Sequence, residues 1–366
     1  MAATRHEEIK LPKSHFLPQS FNHFALFYTF AVRPKPFKMN LIQFLKNWTL
    51  PVSMLTGTIL YLTFAFVPAL DGTATFFAPI FDSILLLFMF FILFVTFCNV
   101  DFHQLRLVRW HLWVALIQLL LIALIVGLIF EFGMTGNSLI LMEAILACII
   151  CPGATAAPVV TKKLGGNIEE VTANTFFSNF ITAALVPIIF PLIDADLTMS
   201  FMQSFLLILY KVCLILIVPM LLAYVVKHYM KSLHRRIISV PDLAYYTWGC
   251  SLMIVTGTTV KNIIHANTTA SFLLLIASLG LLVCITQFAL GRWVGAHFNR
   301  PIEAGQALGQ KNTAFAIWIA YTYLNPLSSV GPGCYILWQN TINSFEIWKR
   351  RKKMEKSLPE TKMQQH

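Results

Sequence analysis

Charge is what this 366-residue chain has least of: only 12% of its residues are Asp, Glu, Lys or Arg, and 57% are hydrophobic. A soluble domain carries about twice that share of charge, and no polar stretch between the apolar runs is long enough to hold one. Catalytic signatures are missing as well. There is no G-x-S-x-G, no H-E-x-x-H, no P-loop and no pair of aspartates at membrane depth. An intramembrane enzyme and an ATP-driven pump are thereby excluded for this chain, and no catalytic residue is expected. The histidines His103, His111, His265 and His297 sit in or beside loops, so no metal site and no resident cofactor is expected either. The seven cysteines lie in or at the edges of apolar runs, which argues against a disulfide framework. Cys148 and Cys151 have C-x-x-C spacing, but without a histidine cluster they read as packed small residues.

Apolar runs of bilayer length take the place of all this. Ten are predicted, at about 46–67, 76–98, 110–130, 138–160, 169–192, 204–226, 243–263, 270–290, 303–324 and 329–348. The third and fourth meet at a turn made by Phe132, Gly133, Gly136 and Asn137. Loop charge then orients them. Arg106, Arg109, Lys162, Lys163, Lys227, Lys231, Arg235, Arg236, Arg292 and Arg300 fall in alternate loops, and Asp71, Glu131, Asp194 and Asp196 in the others. Basic residues stay on the cytoplasmic side, so both termini are expected there, in the inner (plasma) membrane. The net charge of +11 is mainly this orientation signal. The tail "KRRKKMEK" reads as a juxtamembrane anchor and not as a nucleic-acid arm. Residues 1–38 stand apart as an N-terminal extension, interfacial or disordered, in which "ALFYTFAV" (25–32) is too short to span. Met39 would serve as a start equally well. The transporter domain is expected over 39–348 and a basic tail over 349–366.

Two spans are interrupted. The fourth carries "CPGATAAP" (151–158), with Pro152, Gly153 and Pro158; the ninth carries Gly305 and Gly309 in "AGQALGQKN". Split five and five, these are the fourth spans of two halves with inverted topology. Matched breaks of this kind point to the binding site of a secondary transporter, because unwound backbone in lipid needs a partner, a cavity, an ion or a substrate. Lys311 lies in the second break, and an ammonium at that depth costs several kcal/mol unless it is paired or wetted.

These motifs resemble the bile acid:sodium symporter family. Its members read C-P-G-G-T-A-S-N-V at the first break, where this chain reads "CPGATAAPV"; "VTKKLGGN" follows with the family's spacing. At the second break they read E-x-G-x-Q-N, against "ALGQKN" (307–312). "NVDFHQL" (99–105), Gln118 and "WQNTINS" (338–344) match further family positions. The resemblance implies an all-α polytopic membrane protein with ten transmembrane helices in two inverted five-helix repeats. The broken fourth and ninth helices cross, with a panel of helices 1, 2, 6 and 7 and a core of helices 3–5 and 8–10. It implies transport of an organic anion, usually coupled to two sodium ions.

The ion ligands do not carry over. The family's Ser and Asn after the first break become Ala157 and Pro158. The fifth-span Ser and Thr become Val171 and Thr175, and the ninth-span Glu and Gln become Ala307 and Lys311. Only Gln118 and Thr175 keep a side-chain oxygen. A hard cation wants a full shell of oxygens, so the usual two sodium sites are not expected to work.

Lys311 is therefore expected to stand in for sodium or to carry a coupling proton, with freed carbonyls, Gln118, Thr175 and Asn312 accepting its three N–H donors. A counter-ion for the substrate, and a structural lock or snorkelling side chain, remain as alternatives. Asn312 and Gln310 are candidate substrate contacts. Ala154 and Thr155 are candidates too, through backbone N–H groups exposed by small neighbours. "TGTT" (256–259) offers hydroxyls to the crevice between panel and core, or packs within its helix. At the level of function the alternatives are a monovalent cation/proton antiporter, which lacks the expected aspartates here, and a sodium symporter with remodelled ion sites. The expected partners are a small organic anion and the lipid bilayer; nothing in the sequence fixes the oligomeric state.

Overall fold

Backbone in hydrocarbon has no water to bond to, and a helix satisfies each N–H and C=O within its own segment. The computed structural model is helical accordingly, with no strand among the residues it describes, which are 49–67, 70, 84, 87–101, 105–193, 200–240, 243–265 and 268–357. Everything below concerns the unit Trp48–His366. The expected N-terminal extension, the choice between Met1 and Met39, Asp71, His103, Asp194, Asp196 and the last residues of the tail lie outside the described residues.

The helices in chain order are α1 (Thr49–Phe66), α2 (Leu87–Cys98), α3 (Arg109–Glu131), α4 (Gly136–Ile150), α5 (Ala157–Leu164), α6 (Ile168–Ile193) and α7 (Phe201–Leu216). They continue with α8 (Val218–Tyr229), α9 (Lys231–Ile238), α10 (Leu243–Ile264), α11 (Ala270–His297), α12 (Pro301–Gly309), α13 (Thr313–Tyr323) and α14 (Val330–Ser357), a short 3-10 turn at Pro326–Ser329 preceding the last. Among the described residues, four stretches are long and apolar enough to cross a membrane: α3, α6, Phe201–Tyr229 and α11. In the third of these Pro219 removes a ladder donor, and the helix divides into α7 and α8 at Ile217. Leu87–Cys98, Gly136–Ile150 and Pro51–Phe66 are shorter apolar helices.

The predicted breaks are real interruptions. The fourth run ends as a helix at Ile150 and resumes at Ala157; the ninth ends at Gly309 and resumes at Thr313. Two details differ from the sequence reading. Gly305 lies inside α12, where a methyl group would meet the stem of Arg292, so it serves packing and not interruption. Pro158 lies in the first turn of α5, where its missing N–H costs nothing; it opens the second half-helix and does not belong to the break. The turn between α3 and α4 does use its glycines, since Gly133 and Gly136 both have positive φ.

α1 packs along α10, and α11 packs against both α12 and α14. The main core, built from Leu93, Phe97, Ile150, Phe190, Val212 and Phe315 among others, is fully enclosed. Leucines on the outer faces of α3, α7 and α11 are exposed; a face open to lipid carries such residues without cost.

Candidate functional site

The two breaks meet. Gly153 and Lys311 pair as an isolated antiparallel bridge. The Ala154 N–H donates to the Gln310 carbonyl at 2.8 Å, and the Asn312 N–H to the Pro152 carbonyl at 2.9 Å. Each half-helix thus lends the other the hydrogen bonds its own interruption forfeits. Side chains complete the joint. Gly153 N–H donates to Ser178 Oγ (3.0 Å) and Lys311 N–H to Gln339 Oε1 (2.9 Å), while Tyr335 OH donates to the Gly309 carbonyl (2.6 Å). Gly309 has no room for a side chain, because an added Cβ would fall on the ring of Phe288.

At this joint the Lys311 side chain is 1% exposed, so it does not snorkel. Its ammonium donates to the Ile149 carbonyl at 3.1 Å, one of the last carbonyls of α4, where a helix ends without partners and carries partial negative charge. The neighbouring carbonyls are occupied too. Gln118 Nε2 lies 3.0 Å from Ile149 O, 3.4 Å from Ile150 O and 3.3 Å from Cys151 O, and Thr182 Oγ donates to Ile150 O at 2.9 Å. The three carbonyls that face inward are all met by protein donors. No carboxylate lies within ion-pair distance of Lys311 among the described residues.

The structure divides the expected acceptors differently. Gln118 points its amide nitrogen at the carbonyls that the lysine also faces, so it shares them and accepts nothing from the ammonium. The Thr175 hydroxyl donates to Val171 O (3.0 Å) in its own helix. The Asn312 carboxamide oxygen caps α13 by accepting from Phe315 N–H (3.3 Å). A helix-ending carbonyl takes the place of all three.

The candidate substrate residues are scattered in kind. Gln310 is fully buried, and neither atom of its amide has a protein partner among the described residues. The Ala154 N–H is consumed by the bridge and is closed to a ligand. Those of Thr155 and Ala156, at the start of α5, donate to nothing among the described residues. Within "TGTT", Thr258 and Thr259 bond back to Ile254 O and Val255 O, which is the packing role. Glu143 accepts from Asn325 N–H and from Ser328 Oγ, away from Lys311.

The N-terminal ends of α3 and α12 are tied to the start of α6. Arg300 Nε donates to Glu170 Oε1 at 2.9 Å, Trp110 Nε1 to Glu170 Oε2 at 2.7 Å, and Asn167 N–H to Glu303 Oε1 at 2.7 Å. Glu170 raises the pKa of the Arg300 guanidinium above its ordinary value.

A family model described as the sodium bile acid symporter family matches residues 84–266. The chain belongs to this family. The match takes in the first break and α6 to α10, whereas Lys311 and the second break lie beyond it. No curated protein matches the chain. Membership in a family of symporters identifies a membrane transporter and agrees with the apolar helices. Several residues that build the joint, Ser178, Thr182 and Tyr335, had no role in the sequence reading, and Gln339 entered it only as part of the family-like stretch "WQNTINS". One signal was available: Thr175, Ser178 and Thr182 recur three and four residues apart, a polar stripe on one face of an otherwise apolar helix.

Proposed function

We propose that this chain is a secondary transporter of a small organic anion, a carboxylate or sulfonate of bile-acid size or smaller, in which Lys311 replaces the sodium ion of its relatives. One observation carries the reading: a buried ammonium sits on the carbonyl end of α4, where a dissolved cation would otherwise neutralise the helix terminus. The ion ligands absent from the sequence fit the same reading. Ala157, Pro158 and Ala307 offer no side-chain oxygen, and the inward carbonyls already have donors.

In this reading the substrate anion faces the start of α5, where Thr155 and Ala156 have N–H groups to offer and the helix dipole favours negative charge. Gln310 and Asn312 flank that position. The ten-helix inverted repeat, the panel and core, cytoplasmic termini and alternating access belong to the same proposal. The lysine acts either as a fixed charge or as the coupling group, protonated in one access state and neutral in the other. Nothing observed favours the cation/proton antiporter, which lacks its carboxylates at the joint.

Proteoliposomes distinguish these cases when sodium and pH gradients are imposed separately on uptake of a labelled bile acid and of a smaller carboxylate. A pH gradient is expected to alter uptake and a sodium gradient alone to leave it unchanged. Full drive by sodium alone overturns the surrogate. Lys311→Gln is expected to abolish the pH response; an unaltered response removes the lysine from coupling and leaves it a fixed charge.

A further inference from the structure

Between α8 and α10 the chain forms α9, Lys231–Ile238, whose residues are none of them fully buried. Successive residues turn by about 100° around a helix. Leu233, Ile237, His234 and Ile238 therefore share one arc, while Lys231, Arg235, Ser232 and Arg236 share the other. The apolar arc is only partly covered by protein. His234 bonds the Cys98 carbonyl at 2.8 Å and Ile237 packs against the main core, but Leu233 and Ile238 on either side remain 39% and 42% exposed. Tyr229, immediately before this helix, is 79% exposed.

We propose that α9 is a docking surface for anionic phospholipid in the leaflet it faces, with Arg235 and Arg236 on the headgroups and Leu233 and Ile238 among the upper acyl carbons. Charge complementarity alone would also admit a nucleic acid or an acidic protein. The apolar pair decides for lipid, because an exposed leucine and isoleucine flanking arginines fit a surface with carbon below and negative charge above. The hydrogen bond from His234 and the packing of Ile237 hold this helix at the end of α2, so it lies along the surface and does not insert. The inference rests on the reading that this loop is cytoplasmic, at the membrane surface.

The test is hydrogen-exchange mass spectrometry of the whole protein in lipid nanodiscs, read on peptides covering 229–240. Exchange there is expected to be roughly thirtyfold slower in discs rich in phosphatidylglycerol than in phosphatidylcholine discs, as two arginines at a charged interface imply. The double variant Arg235→Gln/Arg236→Gln should lose the difference while keeping wild-type rates in neutral discs. If that variant frays in neutral discs, Arg235→Lys/Arg236→Lys must keep the lipid response. Equal exchange of the wild type in both discs overturns the proposal. So does equal protection in neutral discs by soluble polyphosphate, since the bilayer is then unnecessary. Failure of the transport reading would change uptake and leave these exchange rates untouched.

Discussion

Gly309 and Gly153 occupy the two breaks yet face different constraints. A methyl group at Gly309 would overlap the Phe288 ring, whereas one at Gly153 would meet Ser178 Oγ at 3.4 Å and the Ala307 carbonyl at 3.5 Å, ordinary contact distances. Gly309→Ala is expected to lower stability by about 1–3 kcal/mol, as overpacked cores do, and Gly153→Ala to change it by well under half of that. Thermal unfolding in detergent checks the pair; equal losses would mean that backbone freedom and not space sets the requirement. At this scale the sequence was informative wherever a residue was out of place. A lysine among some 20 apolar positions announces itself. Its acceptor does not, because which of the last α4 carbonyls the ammonium meets depends on what Gln118 and Thr182 donate to from distant helices.

Elements were legible where lipid dictates their length and poorly legible where they bend. Apolar runs gave α1, α3, α6 and α10 near their observed bounds, whereas α11 and α14 run on to His297 and Ser357, well past the ends expected at about 290 and 348; Pro152 with Gly153 marked the first break. Gly305 misled because a glycine in a helix looks alike whether it breaks the ladder or admits a neighbour, here Arg292. The close approach of α1 to α10 was also invisible in sequence, although it depends on glycines. A Cβ at Gly57 would coincide with the Met253 carbonyl, and Gly257 lies against the backbone of Gly57. Small residues let membrane helices touch without a hydrophobic driving force. Gly57→Val is expected to separate this pair and to lower the melting temperature by several degrees, about 1–3 kcal/mol of lost packing. Fluorescence-detected size exclusion after heating reads the shift, and an unchanged profile would show that the contact contributes little.

For the molecule as a whole, loop charge predicts the orientation that the transport reading requires. Ser239 lies in a basic loop before α10 and Thr269 in the loop after it, and both are exposed. An impermeant maleimide should label Thr269→Cys in intact cells and Ser239→Cys only after permeabilisation. The reverse pattern would invert the protein and the direction of transport with it. That the chain is an all-α membrane protein followed from its composition and the length of its apolar runs, because both are set by the bilayer. The wiring of the joint did not, because hydrogen bonds between residues some 150 positions apart leave no local trace.

The seating of the Lys311 ammonium on the Ile149 carbonyl has a practical consequence. A bound ion raises the stability of the state that holds it in proportion to the logarithm of its concentration. A carrier whose positive charge is covalently built in receives no such help and needs none. Exchanging sodium chloride for choline chloride at equal ionic strength should leave its melting temperature where it was; a rise that tracks sodium concentration would reveal an occupant. Such a protein would be at home in salt-poor surroundings, where a carrier dependent on dissolved ions would stall.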